Sequence, residues 1–205
     1  MRLWFMFVLM GIAMTATAKP SDKIRWNQKY ANTRQLQSTA PIPFLTEVLP
    51  FLPKKGKALD IAMGEGRNGV YLAENGYDVL GIDISDVGLK KAEKLAASRK
   101  VKIKTKVADL ETYKLKKNEY DVVVVSYYLQ RTLYKQIKDA LKPGGWVVLE
   151  TYHEDHHKYA PKFNKDWLLR KNELIHAFSN LKILRYQYND TGDKVTASLV
   201  AQKAK

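Results

Sequence analysis

Two acids, Asp60 and Asp83, stand 23 residues apart, and each closes a short apolar run. Between them lies Ala62-x-Gly64-x-Gly66, followed at once by Arg67 and an amphipathic stretch. A strand that runs through a glycine turn into a helix gathers backbone N–H groups and the positive end of the helix dipole in one crevice. The second acid falls where a doubly wound sheet presents a carboxylate to a ribose. The stretch therefore reads as a nucleoside-cofactor site. A dinucleotide site needs G-x-G-x-x-G and close approach of a pyrophosphate. Here the spacing differs, and Asp60 and Glu65 would repel that group. Carboxylates suit a ligand with cationic centres, such as a sulfonium and an ammonium. The helix start, with Arg67, would then face a carboxylate. A nicotinamide oxidoreductase is disfavoured on the same grounds.

The elements that must hold these residues follow from pattern. Residues 21–33 read as a short helix over the mouth of the sheet, with Trp26 and Tyr30 sharing a face as packing aromatics. Residues 41–52 read as a helix begun by prolines. Strands are expected at 58–62, 77–82, 101–107, 121–126 and 146–151, alternating with helices at 69–75, from Ser85 or Asp86 to 98, at 129–141 and at 166–178. The run 121–126, DVVVVS, is β-branched throughout its centre. Such a run is buried on both faces, as in the middle of a parallel sheet. Residues 142–145, KPGG, read as a turn. Two last strands, 181–188 and 194–202, are joined by a turn too short for anything but an antiparallel hairpin. The expected fold class is α/β: a doubly wound, mostly parallel sheet with a C-terminal antiparallel hairpin.

Taken together these motifs resemble the class I S-adenosylmethionine-dependent methyltransferases. Asp60-x-Ala62-x-Gly64-x-Gly66 is similar to the first motif of that family, and Asp83 to its ribose-binding acid. Asp109-Leu110 is similar to the adenine-binding position, 121–126 to the fourth-strand motif, and 142–146 to the turn before strand five. The likeness covers residues 26–202 and implies the family's seven-stranded, Rossmann-like sheet. Within the family, residues 65–85, 127–131 and 168–174 resemble small bacterial methyltransferases of the tellurite-resistance-like group. The resemblance implies S-adenosylmethionine as cofactor, held by Asp60, Ala62, Gly64, Gly66, Asp83, Ile84, Asp109, Leu110 and Ser126. Gly64 and Gly66 would let the backbone approach the methionine part. Asp60 would orient the ammonium side, directly or through water. Asp83 would accept from both ribose hydroxyls, and Asp109 from the adenine amino group. Ala62 departs from the family's glycine; a methyl there is tolerated if φ stays below zero.

Methyl transfer is an in-line displacement, so much of the acceleration comes from positioning. A neutral hydroxyl or amine acceptor also benefits from a base. Candidates lie after strands four and five, where such sheets place their sites. Tyr127, Arg131 and His153 are taken as the catalytic set, with Tyr128, Tyr152, His156 and His157 beside them. Arg131 would hold an anionic acceptor or else lie on a helix surface. The histidines with Glu154 and Asp155 have metal-ligand chemistry but loose spacing and no second cluster, so no metal is expected.

The chain has 205 residues, a net charge of +14 and no cysteine. Its length fits one domain, and the missing cysteines exclude disulfides, thiolate metal sites and a cysteine nucleophile. The lysines are dispersed, which describes a solvated basic surface. No RNA-binding motif accompanies them. An RNA methyltransferase would rest on charge alone, so the expected partner is a small-molecule methyl acceptor and not nucleic acid. At the start, an apolar run over residues 3–12 precedes Ala16-Thr17-Ala18 and a polar stretch. This is the layout of a secretory signal peptide. Residues 1–18 are therefore read as a signal peptide or hydrophobic anchor and 19–205 as the catalytic domain, exported or periplasmic. Membrane contact would come only through an uncleaved N-terminal segment. A start at Met14 would instead give a cytoplasmic protein. The alternative function is a protein of the same fold that binds S-adenosylmethionine, or is structural, without catalysis.

Overall fold

A computed structural model describes residues 20–33 and 38–205. The expected signal segment, residues 1–18, lies outside the described residues. The strands are β1 (Gly56–Ile61), β2 (Tyr77–Asp83), β3 (Lys104–Val107), β4 (Tyr120–Ser126), β5 (Leu141–Tyr152), β6 (Lys182–Asp190) and β7 (Val195–Gln202). They form one seven-stranded sheet in the order β3-β2-β1-β4-β5-β7-β6. The first five pair in parallel, and β7 runs antiparallel to both β5 and β6. The strand order reverses between β1 and β4, which opens a crevice at their carboxyl ends.

The sheet is covered on both faces. Helices α2 (Pro43–Val48), α3 (Arg67–Glu74) and α4 (Asp86–Ser98) bring Phe44, Leu45, Leu72 and Leu89 against Val122, Val124, Val148 and Val200. On the other face α5 (Leu133–Ala140) and α6 (Glu173–Ala177), with the residue that follows it, bring Leu133, Ile137, Leu174 and Phe178 against Val123, Val125, Val147 and Leu199. The valine run of β4 is thus divided alternately between two cores, which is why every position in it is apolar. Each fully buried side chain of this size contributes about 1.5–3 kcal/mol.

Helix α1 (Pro20–Ala31) lies against α4 across the mouth of the sheet. Asn27 fastens it: its Nδ2 donates to Asp86 Oδ1 at 2.9 Å, and its Oδ1 accepts from Ser85 Oγ at 2.6 Å. Ser85 also caps α4 by accepting from Gly88 N at 3.0 Å. The Trp26 and Tyr30 rings stack at 5.7 Å.

Several expected boundaries move. The proline-led helix stops at Val48 and continues as a 3₁₀ turn, Leu49–Phe51, because Pro50 lacks an N–H for the α-helical ladder. Strand β3 is confined to the four residues that find a partner on β2. The KPGG segment belongs to β5, as an irregularity opposite Tyr120, with Gly144 N donating to Lys203 O at 3.1 Å. The helix expected over 129–141 begins only at Leu133, after a loop. The helix expected over 166–178 shrinks to α6. Its start is a 3₁₀ turn, Lys165–Trp167, after which Leu169 pairs with the end of β5: Leu169 N donates to Tyr152 O at 2.8 Å and Glu154 N to Leu169 O at 2.8 Å. Asn172, at φ 58, then turns the chain into α6. Tertiary pairing outweighs local helical preference there.

Candidate cofactor and acceptor site

The loop from β1 to α3 alternates in handedness: Ala62, Gly64 and Gly66 have φ of 54, 57 and 86°. The glycines are needed for space as well as conformation. A Cβ on Gly66 would lie 2.5 Å from Ala92 Cβ of α4, and one on Gly64 would lie 2.6 Å from Tyr30 Oη. Ala62 does not keep the negative φ that its methyl group prefers. It sits in the left-handed region, at a cost of about 1–2 kcal/mol for an L-residue.

The two acids behave differently. Asp60 is buried behind the loop, and its Oδ2 accepts from Gly69 N at 2.8 Å. Burial pushes its pKa up to about 7, against the lowering effect of that N–H. It therefore braces the loop against the first turn of α3 and does not line the cleft. Asp83 is held from both sides: Oδ2 accepts from Gly64 N and Oδ1 from Ser85 N, each at 2.8 Å. Burial raises its pKa and the N–H donors oppose this. A carboxylate oxygen accepts more than one bond, so both oxygens keep capacity for hydroxyl donors. Beside it, Ala108 N donates to Asp83 O at 2.9 Å, which brings Asp109 and Leu110 next to the end of β2. Asp109 Oδ1 accepts from Glu111 N at 2.9 Å in a local turn, and Leu110 is buried with its carbonyl accepting from Gln130 Nε2 at 3.3 Å. Ile84, half-buried, follows directly on Asp83.

A solvent-open cleft of about 350 Å³ lies over this loop, lined by Tyr30, Ser38, residues 62–67 and Ser126. Tyr30 reaches it from α1, a placement that its helical spacing with Trp26 did not reveal. Burial and then the Asp83 and Glu65 charges hold its phenol protonated. Tyr128, expected on the acceptor side, instead lies within the fields of Glu111, Asp109 and Asp83, and its Oη bonds Gln130. Asn68 was also missed. Its Oδ1 accepts from Ile42 N at 3.0 Å and its Nδ2 donates to Ser126 Oγ at 2.7 Å, so it ties α2, α3 and β4 together at the cleft. No sequence signal distinguishes it from any other asparagine in a first helical turn.

Next to Ser126 a separate wall of side chains is built on Tyr127, which turns away from β4 at φ 53. Its N donates to Glu150 O at 2.8 Å, and its ring lies 5.0 Å from that of Tyr152. Burial, then the Glu150 carboxylate, raises its pKa well above the ordinary phenol range. Tyr127 is thus held as a neutral phenol and does not act as a base. Arg67 lies 5.3 Å from the ring centre, and Lys194 Nζ 3.3 Å from its Oη. Glu150, itself buried, accepts from Ser198 Oγ at 2.8 Å. Neither Glu150 nor Lys194 was singled out by the sequence.

Arg131 and His153 do not join this wall. Arg131 donates to Asp166 O at 3.0 Å, Leu168 O at 2.9 Å and Glu173 Oε2 at 2.8 Å, so it ties the start of α5 to the segment before α6. His153 follows Tyr152 by one residue and so points to the other face. Its ring meets Tyr188 at 5.1 Å, and its Nδ1 accepts from Asp155 N at 3.3 Å. It is His156 that stacks on Tyr152, at 4.5 Å, while His157 bonds Phe163 O at 2.9 Å. The three histidines do not converge on a common point.

The residues present fit a nucleoside cofactor with a cationic centre. The glycine turn and the guanidinium at the helix start line one cleft, and the acid that ends β2 is anchored directly beneath its loop through Gly64 N. Residues 58–145 match a family model described as a methyltransferase domain. A phosphoethanolamine N-methyltransferase from Triticum aestivum is 30% identical over 134 residues, covering 62% of this chain and 26% of that protein. The chain spans less than a third of the length of the curated relatives it matches. Among solved structures, TehB from Haemophilus influenzae superposes with a TM-score of 0.66 at 21% identity, over 88% of this chain and 66% of that one. Geranyl diphosphate C-methyltransferase from Streptomyces coelicolor superposes with a TM-score of 0.63 at 12% identity, over 78% of each chain. Strand order and terminal hairpin are those of these solved structures, and the segment from β1 to the start of β5 is the part that matches the methyltransferase-domain model.

Proposed function

We propose that the protein transfers a methyl group from S-adenosylmethionine to a small-molecule acceptor. The observation that carries this reading is Asp83, a buried carboxylate at the end of β2 whose two oxygens are aimed by Gly64 N and Ser85 N. Asp83 would hold the ribose hydroxyls, Asp109 and Leu110 the adenine edge, and Gly64 and Gly66 the backbone side of the methionine part. Asp60 would act from behind, through the loop it braces. When bound, the cofactor supplies an electrophilic methyl group. The chain's own contribution would be alignment: Tyr127, with the Arg67 guanidinium 5.3 Å from its ring centre, forms a wall beside the glycine loop, and Ser126, fixed by Asn68, lines the cleft next to it. Several similar proteins are named for small substrates, phosphoethanolamine and geranyl diphosphate among them, which supports an acceptor of that size.

Calorimetry with S-adenosylmethionine and with its demethylated product tests the reading. Asp83→Ala should weaken both by at least ~2 kcal/mol, as expected for truncating a buried charged hydrogen-bond partner. Wild-type protein that binds neither ligand would sink it. As to location, the apolar run over residues 3–12 supports export. N-terminal sequencing of the native protein decides: a chain beginning at Lys19 supports export, and one beginning at Met14 supports a cytosolic enzyme.

A further inference from the structure

Among the described residues, two buried side-chain polar atoms have no hydrogen-bond partner: Arg67 Nη2 and His156 Nδ1. They converge on one pair of rings. Arg67 lies 5.3 Å from the centre of Tyr127, Tyr127 lies 5.0 Å from Tyr152, and His156 stacks on Tyr152 at 4.5 Å. Lys194 approaches the same Tyr127 ring, with Nζ 5.6 Å from its centre. The two cations are therefore no more than about 11 Å apart. Among the described residues, no carboxylate lies within ion-pair distance of either, although the fields of Arg67 and Lys194 reach Asp60 and Asp193. A buried donor left without a partner costs about 1–3 kcal/mol; the Arg67 guanidinium carries one, and Lys194 reaches the same ring, so the two cations point to one occupant.

We propose that Arg67 and Lys194 bind an anionic group, a carboxylate or a phosphate, on the methyl acceptor. This rests on the methyltransferase reading above and names the acceptor's class. A guanidinium presents a planar fork matched to those two groups, and an ammonium adds a point charge. Tyr127 and Tyr152 supply a flat wall between the cations. The carboxylate of Glu150, beside Tyr127, and that of Asp193, whose field reaches Tyr152 and His156, limit how much negative charge the pocket holds. They favour an acceptor that is anionic at one end and neutral or cationic at the other. Arg67 also lines the cofactor cleft, so a carboxylate on the cofactor is the other source of the same chemistry. Lys194 separates the two, because it immediately precedes β7 and lies outside the cofactor loop.

The test uses the full chain saturated with S-adenosylhomocysteine and titrated with inorganic phosphate by calorimetry. Saturable phosphate binding is expected in wild type. Lys194→Met should weaken it at least fivefold while changing S-adenosylhomocysteine affinity less than twofold. Arg67→Met should weaken phosphate binding at least fivefold too. A parallel titration with 5′-methylthioadenosine, which has no carboxylate, reads the cofactor arm. If Arg67→Met weakens only S-adenosylhomocysteine, leaving phosphate and methylthioadenosine unchanged, Arg67 serves the cofactor and the proposal is overturned. Phosphate binding that never saturates, or that ignores both substitutions, overturns it as well. Thermal melts of each variant exclude misfolding as the cause, and Lys194→Met, on a half-buried side chain at the end of a turn, is the variant expected to fold normally. Wild type that fails to bind S-adenosylhomocysteine would remove the underlying methyltransferase reading, and it is seen in a separate titration.

Discussion

Asp60→Asn isolates the energetic role of the acid behind the glycine loop. In the folded chain its pKa is about 7, against 3.8 for the ordinary group. Between those values the native state keeps a proton that the unfolded chain has released. Stability must then fall as pH rises, since the slope follows the difference in bound protons. The stabilising protonation is complete below pH 3.8 and lost as pH rises through about 7. The full loss is about 4 kcal/mol, because each pH unit separating the two pKa values is worth about 1.36 kcal/mol. An asparagine stays neutral throughout, and its side-chain oxygen can still accept from Gly69 N. The stability gained by the variant over wild type should therefore widen by about 3 kcal/mol between pH 5 and pH 8. Urea unfolding of both proteins at several pH values measures it. The difference matters more than either profile alone. Burial lowers the pKa of His156, which makes stability rise with pH in the same window, and this cancels in the subtraction. A gap that stays flat within about 0.5 kcal/mol, or that narrows towards pH 8, would refute the account of Asp60 as a buried, largely unpaired acid.

Three further outcomes follow from single residues. Ala62→Gly should relieve about 1 kcal/mol of left-handed strain and return about half of it in chain entropy, a net gain of about 0.5 kcal/mol in urea unfolding; a loss of stability would contradict the strain. Asn68→Ala should cost about 1–3 kcal/mol, because Ile42 N is left buried and unpaired, and a variant as stable as wild type would show that the tie between α2 and β4 is dispensable. Arg131→Met should lower stability by about 1–2 kcal/mol through its lost carbonyl and Glu173 bonds while leaving S-adenosylhomocysteine and phosphate affinity unchanged. A selective loss of phosphate binding in that variant would restore Arg131 to the acceptor site.

Much of the frame could be read from the chain because its causes are local. Glycines 64 and 66 announce a turn that side chains cannot make. The β4 valines announce a strand covered twice, and the short turn before β7 leaves only a hairpin. Ser85 announces a helix start. Asp83 was legible for the same reason: an acid at the end of a buried strand, beside a glycine turn, sits where the sheet opens.

The wall proposed for the acceptor was not legible, because it is made of contacts between distant segments. Lys194 from the hairpin, Glu150 from β5 and Arg67 from α3 meet at Tyr127 only once the sheet has closed in its particular strand order. Arg131 looked like an anion grip until the segment before α6 folded back along β5 and offered it two carbonyls and a carboxylate. His153 and His156 have the same chemistry. The pleat turns one towards Tyr188, and the loop returns the other to Tyr152. Residue types and spacings thus determined the central part of the proposed donor site, Asp83 and the glycine turn, which lie within one strand–turn–helix–strand unit. Only the tertiary structure brought together the residues proposed for the acceptor, because burial and partner choice depend on which surfaces the fold brings into contact.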